Sequence, residues 1–286
     1  RHEGLSTMAS PYGIKTVIRR TFRQRFTLAR WTRQPLIGRI IDQLLFEGDD
    51  IMYLPRDRAI AVNQSLSPRD DLAVPSQVLE HFIEQAHVHW RMDFCICRDA
   101  SGCQTYPVDL GCLFMGEAAR DINPKFGRRV TKAAALTHAR RCREAGLVHL
   151  IGRNKLDSVW LNVHPPQKLM TVCNCCPCCC LWKILPEISP RISGKLTRMP
   201  GVSVQVDRDA CIGCGQCQQD VCFVNAIGLE NGRAYIGAEC RGCGRCVSAC
   251  PSEAITLRIE APAYLASTVH RAAGAVDRVV APVGDE

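Results

Sequence analysis

The sequence predicts an α+β chain, with a mainly helical, cysteine-containing first part and a smaller second part of short hairpins and turns. Three observations predict it. Apolar residues recur at helical spacing early on, at Ile14, Val17, Ile18, Phe22 and Phe26, then at Leu79, Phe82, Ile83, Ala86 and Trp90. After Gly201 the spacing turns to alternation, at Val202, Val204 and Val206 and again over Ile255–Ile259. Inside that second part a cysteine pattern occurs twice, offset by 29 residues from Cys211 to Cys240.

The chain has 286 residues, enough for about two domains at roughly 150 residues each. Its hydrophobic content of 47% excludes wholesale disorder. No apolar run reaches the roughly 18 residues that span a bilayer. Five segments are expected: a basic amphipathic arm (1–40), a cysteine-containing helical domain (41–170), a cysteine-dense loop and linker (171–200), a compact cysteine domain (201–260) and a tail or docking helix (261–286).

The arm holds nine Lys/Arg and one acid, so it carries the whole net charge of +8. Such an arm suits an acidic partner, a membrane surface or nucleic acid, and equally suits plain solvation. Arg25, Arg30 and Arg33 break the apolar stretch that an export signal would need after Arg19-Arg20. A cytoplasmic chain is therefore expected, in which closely spaced cysteines read as metal ligands rather than disulfides.

Short apolar runs at Ile51–Leu54 and Ala59–Val62 read as strands. Pro75 opens a helix, and Thr131 caps another that Gly146 stops. Gly146–Leu161 suggests a hairpin, which after a helix is compatible with a winged-helix shape. Pro186, Pro190, Gly194 and Pro200 read as a linker, and Asn231-Gly232 as a hairpin turn.

The strongest motif is the repeat. Cys211, Cys214 and Cys217 are followed by Cys222; Cys240, Cys243 and Cys246 are followed by Cys250-Pro251. Three thiolates at C-x2-C-x2-C spacing wrap three corners of a 4Fe–4S cube, and the fourth ligand comes from the other half. Cys211, Cys214, Cys217 and Cys250 are thus expected to hold one cluster, and Cys240, Cys243, Cys246 and Cys222 the other. Gly213, Gly215, Gly242 and Gly244 let the backbone turn tightly and aim N–H groups at sulfur. Residues 202–260 resemble a bacterial-type two-cluster ferredoxin domain, which implies a ferredoxin-like fold of short hairpins and two short helices. One departure stands out: four residues separate Cys217 from Cys222 and Phe223 replaces the usual Pro. The alternative of two structural zinc sites fits less well, because zinc usually takes paired C-x2-C motifs.

A second set of cysteines precedes the repeat. Cys95, Cys97, Cys103 and Cys112 are one candidate set for a further cluster. A subset of Cys173, Cys175, Cys176, Cys178, Cys179 and Cys180 is another, because neighbouring thiols diverge and cannot all meet one cube. Cys142 reads as a helix-face residue. Zinc and plain burial are the alternatives for these cysteines. Arg91 and Arg98 could offset thiolate charge. With Glu144–His149 in between, residues 40–260 resemble ferredoxin-type iron–sulfur proteins of anaerobes, a resemblance that implies no particular activity.

His87 and His89 are weaker ligand candidates. No phosphate loop or dinucleotide fingerprint occurs, so no nucleotide is expected. Asp49-Asp50 and Asp70-Asp71 read as loop charges. The function expected is transfer of single low-potential electrons, through two clusters plus one or two more, to a redox partner or oxidoreductase complex. Two alternatives stand: a reductase subunit with a substrate-binding cluster on the N-terminal cysteines, and a DNA-binding redox sensor.

Overall fold

Seven strands of the N-terminal part join one mixed sheet in the computed structural model, which describes residues 11–57, 74–259 and 263–276. The strands are β1 (Asp50–Tyr53), β2 (His89–Met92), β3 (Leu113–Met115), β4 (Gly127–Arg129), β5 (Val148–Arg153), β6 (Met170–Cys175) and β7 (Leu196–Arg198). Their order is β4-β2-β3-β6-β5-β1-β7, antiparallel except for the β1–β7 pair. In the centre, Val148 lies opposite Cys175 and Leu150 opposite Cys173.

Alternation along each strand sorts its side chains to two faces. Met52, Ile151, Met170 and Val172 pack on one side against helices α4 (Pro75–Gln85), α6 (Lys132–Glu144) and α10 (Ala263–Ala275). Ile51, Tyr53, Val148 and Leu150 pack on the other, with Cys175, against Trp182, Ile184, Leu185, Ile188 and Ile192. Phe223 and Val224, from the cysteine repeat, close that second core.

The basic arm is helical as expected: α1 (Pro11–Thr21), a short 3-10 turn, α2 (Arg25–Trp31) and α3 (Pro35–Leu45). It lies on the body of the protein. Lys15 and Arg19 pair with Asp99, in α5 (Ile96–Ser101), and the Arg33 guanidinium donates to the Glu187 and Pro186 carbonyls.

In the second part β8 (Val202–Val206) pairs antiparallel with β11 (Ile255–Ile259), and β9 (Ile227–Glu230) with β10 (Arg233–Ile236). Asn231 and Gly232, at φ of 52° and 71°, form the turn between the latter two. Among the described residues no helix is long and apolar enough to cross a membrane.

The α+β class holds, while several expectations need correction. Residues 41–170 hold more helix than strand, but they are built on a sheet the sequence did not announce, with β1 to β5 within them. The Gly146–Leu161 hairpin and the winged helix it suggested do not form. Only β5 is a strand there, its partners are β6 and β1, and the return is helix α7 (Lys155–Leu161). Leu156 and Trp160 sit one helical turn apart, a spacing that suits α7 better than a strand. Helix α4 ends at Gln85, so Trp90 lies in β2 and not on the helix. Residues 171–200 contribute β6 and β7 to the sheet rather than a free linker. The second part has one short helix, α9 (Arg245–Ala249), because turns occupy residues 216–220. The Ala59–Val62 strand and Asp70-Asp71 lie outside the described residues.

Candidate metal centres

The cysteine repeat folds into two small cavities. One is lined by Cys211, Cys214, Cys217 and Cys250; the other by Cys222, Cys240, Cys243 and Cys246. Each therefore draws three thiols from one half of the repeat and a fourth from the other half. Cys222 reaches its cavity despite the longer spacing before it, and Phe223 beside it fills the second core of the sheet.

Backbone N–H groups point at these sulfurs. Ala234 N–H donates to Cys211 Sγ at 3.4 Å, Ala226 N–H to Cys222 Sγ at 3.2 Å and Gly242 N–H to Cys240 Sγ at 3.4 Å. Two glycines make the cradle. At Gly213, with φ of 70°, a Cβ would stand 2.2 Å from the Gly232 carbonyl oxygen. At Gly242, with φ of 65°, it would stand 2.8 Å from Val202 Cγ1. Gly215 and Gly244 also have positive φ, at 73° and 75°. Four thiols, amide donors and no room for a Cβ fit an iron–sulfur cluster in each cavity. Burial pushes the Cys243 thiol up to about 12, and raises Cys240 too. Metal must therefore displace protons to bind there.

The N-terminal cysteines divide differently from the expected sets. Cys103 leaves Cys95, Cys97 and Cys112 and joins Cys176, Cys178 and Cys179, the four sulfurs lying within 4.8 Å of one another. The order of β3 and β6 in the sheet dictates this, because it carries the loop after β6 over the residues following α5. Cys95, Cys97, Cys112, Cys173, Cys175 and Cys180, together with Cys176 of the tetrad, line a cavity of about 260 Å³. Cys142 is fully buried on α6, as expected of a helix-face residue, and burial raises its thiol to about 12.

Arg98 is fully buried between the two thiol sets. Its guanidinium donates to the Asn174 carbonyl at 2.9 Å and to the Leu110 carbonyl. Burial opposes its charge, but Cys95, Cys176 and Cys112 outweigh that and raise its pKa. Arg91 instead pairs with Asp93. His89 Nε2 lies 2.6 Å from the Ile83 carbonyl oxygen, and among the described residues no metal set includes His87 or His89.

Two residues that no local sequence signal marks connect the halves. Tyr53, fully buried on β1, lines the Cys222 cavity and packs in one core with Cys175 and Cys180. Arg245, next to Cys246, donates to the Gly146 carbonyl at 2.8 Å and to Tyr106 Oη at 3.1 Å.

Thiol-lined cavities with amide donors on sulfur define an iron–sulfur protein. A 4Fe-4S binding domain family matches residues 236–256. An uncharacterised ferredoxin of Methanocaldococcus jannaschii is 39% identical over 66 residues, 21% of this chain and 84% of that protein. Ferredoxin-2 of Desulfomicrobium norvegicum is 59% identical over 34 residues, 12% of this chain and 56% of that protein. No solved structure matches. The chain belongs to the ferredoxin family of 4Fe–4S proteins, and its chemistry is iron–sulfur electron transfer.

Proposed function

We propose that the chain relays single low-potential electrons to a partner oxidoreductase through two 4Fe–4S clusters, in a reducing, cytoplasmic setting. Cys211, Cys214, Cys217 and Cys250 hold one, and Cys222, Cys240, Cys243 and Cys246 the other. Residues 201–260 are then a two-cluster ferredoxin-like unit. The observation that carries this reading is the crossed lining of the two cavities. Bound there, such clusters supply one-electron exchange at little structural cost.

The residues around them support a direction. Cys214 is exposed, and Ile212 beside it is 65% exposed, so the first cavity faces the exterior. Ile212, with exposed Leu229 on the same cavity, offers the apolar contact a redox partner would use. The second cavity faces inward, under Tyr53 and Phe223. The arm adds a basic surface for an acidic partner or a membrane surface, and the N-terminal cysteines add one or two further centres. A reductase subunit is the second reading, favoured by the size of the cavity beside Cys95, Cys112 and Cys173.

The test is iron and sulfide analysis of protein prepared without air, with Cys250→Ala and Cys222→Ala beside the wild type. Each variant should lose about four irons, Cys250→Ala from the first cavity and Cys222→Ala from the second. Colourless protein carrying zinc would overturn the reading.

A further inference from the structure

We infer that the ten cysteines from Cys95 to Cys180, leaving out Cys142, form two metal sites of different nuclearity. Cys103, Cys176, Cys178 and Cys179 take a single tetrahedral ion, zinc or iron. Cys95, Cys97, Cys112, Cys173, Cys175 and Cys180 take a polynuclear iron–sulfur cluster. The inference rests on the reading that these cysteines bind metal, and is independent of the crossed quartets at 211–250.

Spacing separates the two. Four thiolates about 2.3 Å from one ion lie about 3.8 Å from one another. The Cys103 tetrad matches: all four sulfurs fall within 4.8 Å, and Cys103 Sγ is 3.6 Å from Cys178 Sγ. Thiolates on the corners of a cube stand farther apart, because each binds a different iron. Among the described residues no other set of three or more candidate ligands closes to the tetrad's separation, the crossed quartets included.

The remaining six thiols ring one cavity, which Cys176 also borders. Cys95 and Cys97 lie within hydrogen-bonding reach of each other. Cys180 Sγ lies 3.1 Å from Cys175 Sγ. Cys173 lies within hydrogen-bonding reach of both Cys175 and Cys112. Six thiols around one cavity exceed both what one ion needs and the four corners of a cube, and suit several irons. Each set has an N–H donor to sulfur: Cys179 N–H to Cys176 Sγ at 3.4 Å, and Trp182 N–H to Cys180 Sγ at 3.4 Å. Fully buried Arg98 stands between them, where its fixed charge offsets thiolates of both.

The register of β6 keeps the sets apart. Cys173 and Cys175 fall on one face of the strand by alternation, and the turn after it sends Cys176, Cys178 and Cys179 toward Cys103. Tyr53 touches the ring through Cys175 and Cys180 while lining the Cys222 cavity, so the ring adjoins the ferredoxin part.

The experiment is metal and acid-labile sulfide analysis of the anaerobically purified full-length chain. Three variants accompany the wild type: Cys103→Ser/Cys178→Ser, Cys97→Ser/Cys112→Ser/Cys173→Ser, and all five together. The tetrad variant should lose one metal ion per chain and no sulfide. The ring variant should lose several irons with a matching amount of sulfide and keep the single ion. The five-fold variant should keep about eight irons, which reads the ferredoxin clusters separately. Loss of sulfide from the tetrad variant, or wild-type iron and sulfide in the ring variant, would overturn the inference. If a variant does not fold, the wild type decides. Sulfide above about eight per chain, with one metal ion not matched by sulfide, supports the two sites; sulfide of about eight refutes the ring cluster.

Discussion

The ring of Tyr53 meets Phe223 edge-on, with centroids 5.9 Å apart and planes at 64°. This contact joins the seven-stranded sheet to the loop that carries Cys222. It explains why Phe can stand where related ferredoxin repeats have Pro: the side chain serves a core that an isolated ferredoxin lacks. Tyr53→Ala should cost about 3 kcal/mol or more by opening a cavity. Tyr53→Phe should stay within about 1 kcal/mol of wild type, because the buried hydroxyl has no hydrogen-bond partner to lose. Denaturant melts of both variants check this; a large loss in Tyr53→Phe would mean the hydroxyl is bonded in the folded protein.

Gly213 and Gly232 make a matched pair. Both have positive φ, but a Cβ at Gly232 meets no atom within 4 Å, whereas one at Gly213 strikes the Gly232 carbonyl. Gly232→Ala should cost about 1 kcal/mol of backbone strain and leave iron content unchanged. Gly213→Ala should cost about 2 kcal/mol or more and lower the iron held by Cys211, Cys214, Cys217 and Cys250. Equal iron contents would remove the argument for a tight cradle.

Arg245 fastens the ferredoxin part to the rest through Gly146 and Tyr106. Arg245→Ala should cost about 1–3 kcal/mol, as expected for hydrogen bonds from a charged group. Limited proteolysis should then cut within residues 201–259 sooner than in wild type. An unchanged cleavage pattern would show that the apolar contacts alone hold the two parts.

Two buried groups set opposite pH dependences. Burial raises the Asp49 carboxyl to about 8. Its Oδ1 accepts from Lys155 N–H at 2.7 Å, while Oδ2 has no partner. The raised value means its contribution is full below about pH 4 and lost as pH climbs through about 8. Asp49→Asn should therefore gain on wild type across that window. His149 runs the other way. Burial lowers its imidazole to about 4, and its Nδ1 lies 2.7 Å from Asn174 Oδ1. Its contribution is full above about pH 6.5 and lost as pH falls toward 4. His149→Gln should flatten the acid limb. Denaturant unfolding at pH 5, 7 and 9 reads the difference between each variant and wild type.

What could be read from the chain alone was whatever chemistry or periodicity kept local. The capped helix beginning after Thr131 is one such feature: Thr131 Oγ1 accepts from Ala134 N–H, and Ala135, Ala139 and Cys142 face the core. The Asn231-Gly232 turn is another, and so is the repeated thiol spacing that marks a 4Fe–4S domain. Contacts across the sheet were a different matter. Nothing near Leu147 reveals that β5 pairs with β6 rather than returning on itself, and nothing near Cys103 reveals that its neighbours lie more than 70 residues away. Those relations depend on which strands lie side by side and in what register, and the balance of burial over the whole sheet sets both. The sequence determined that this protein holds thiolate-bound iron; the tertiary structure decided which thiols meet, because distance in space between strands leaves no mark on distance along the chain.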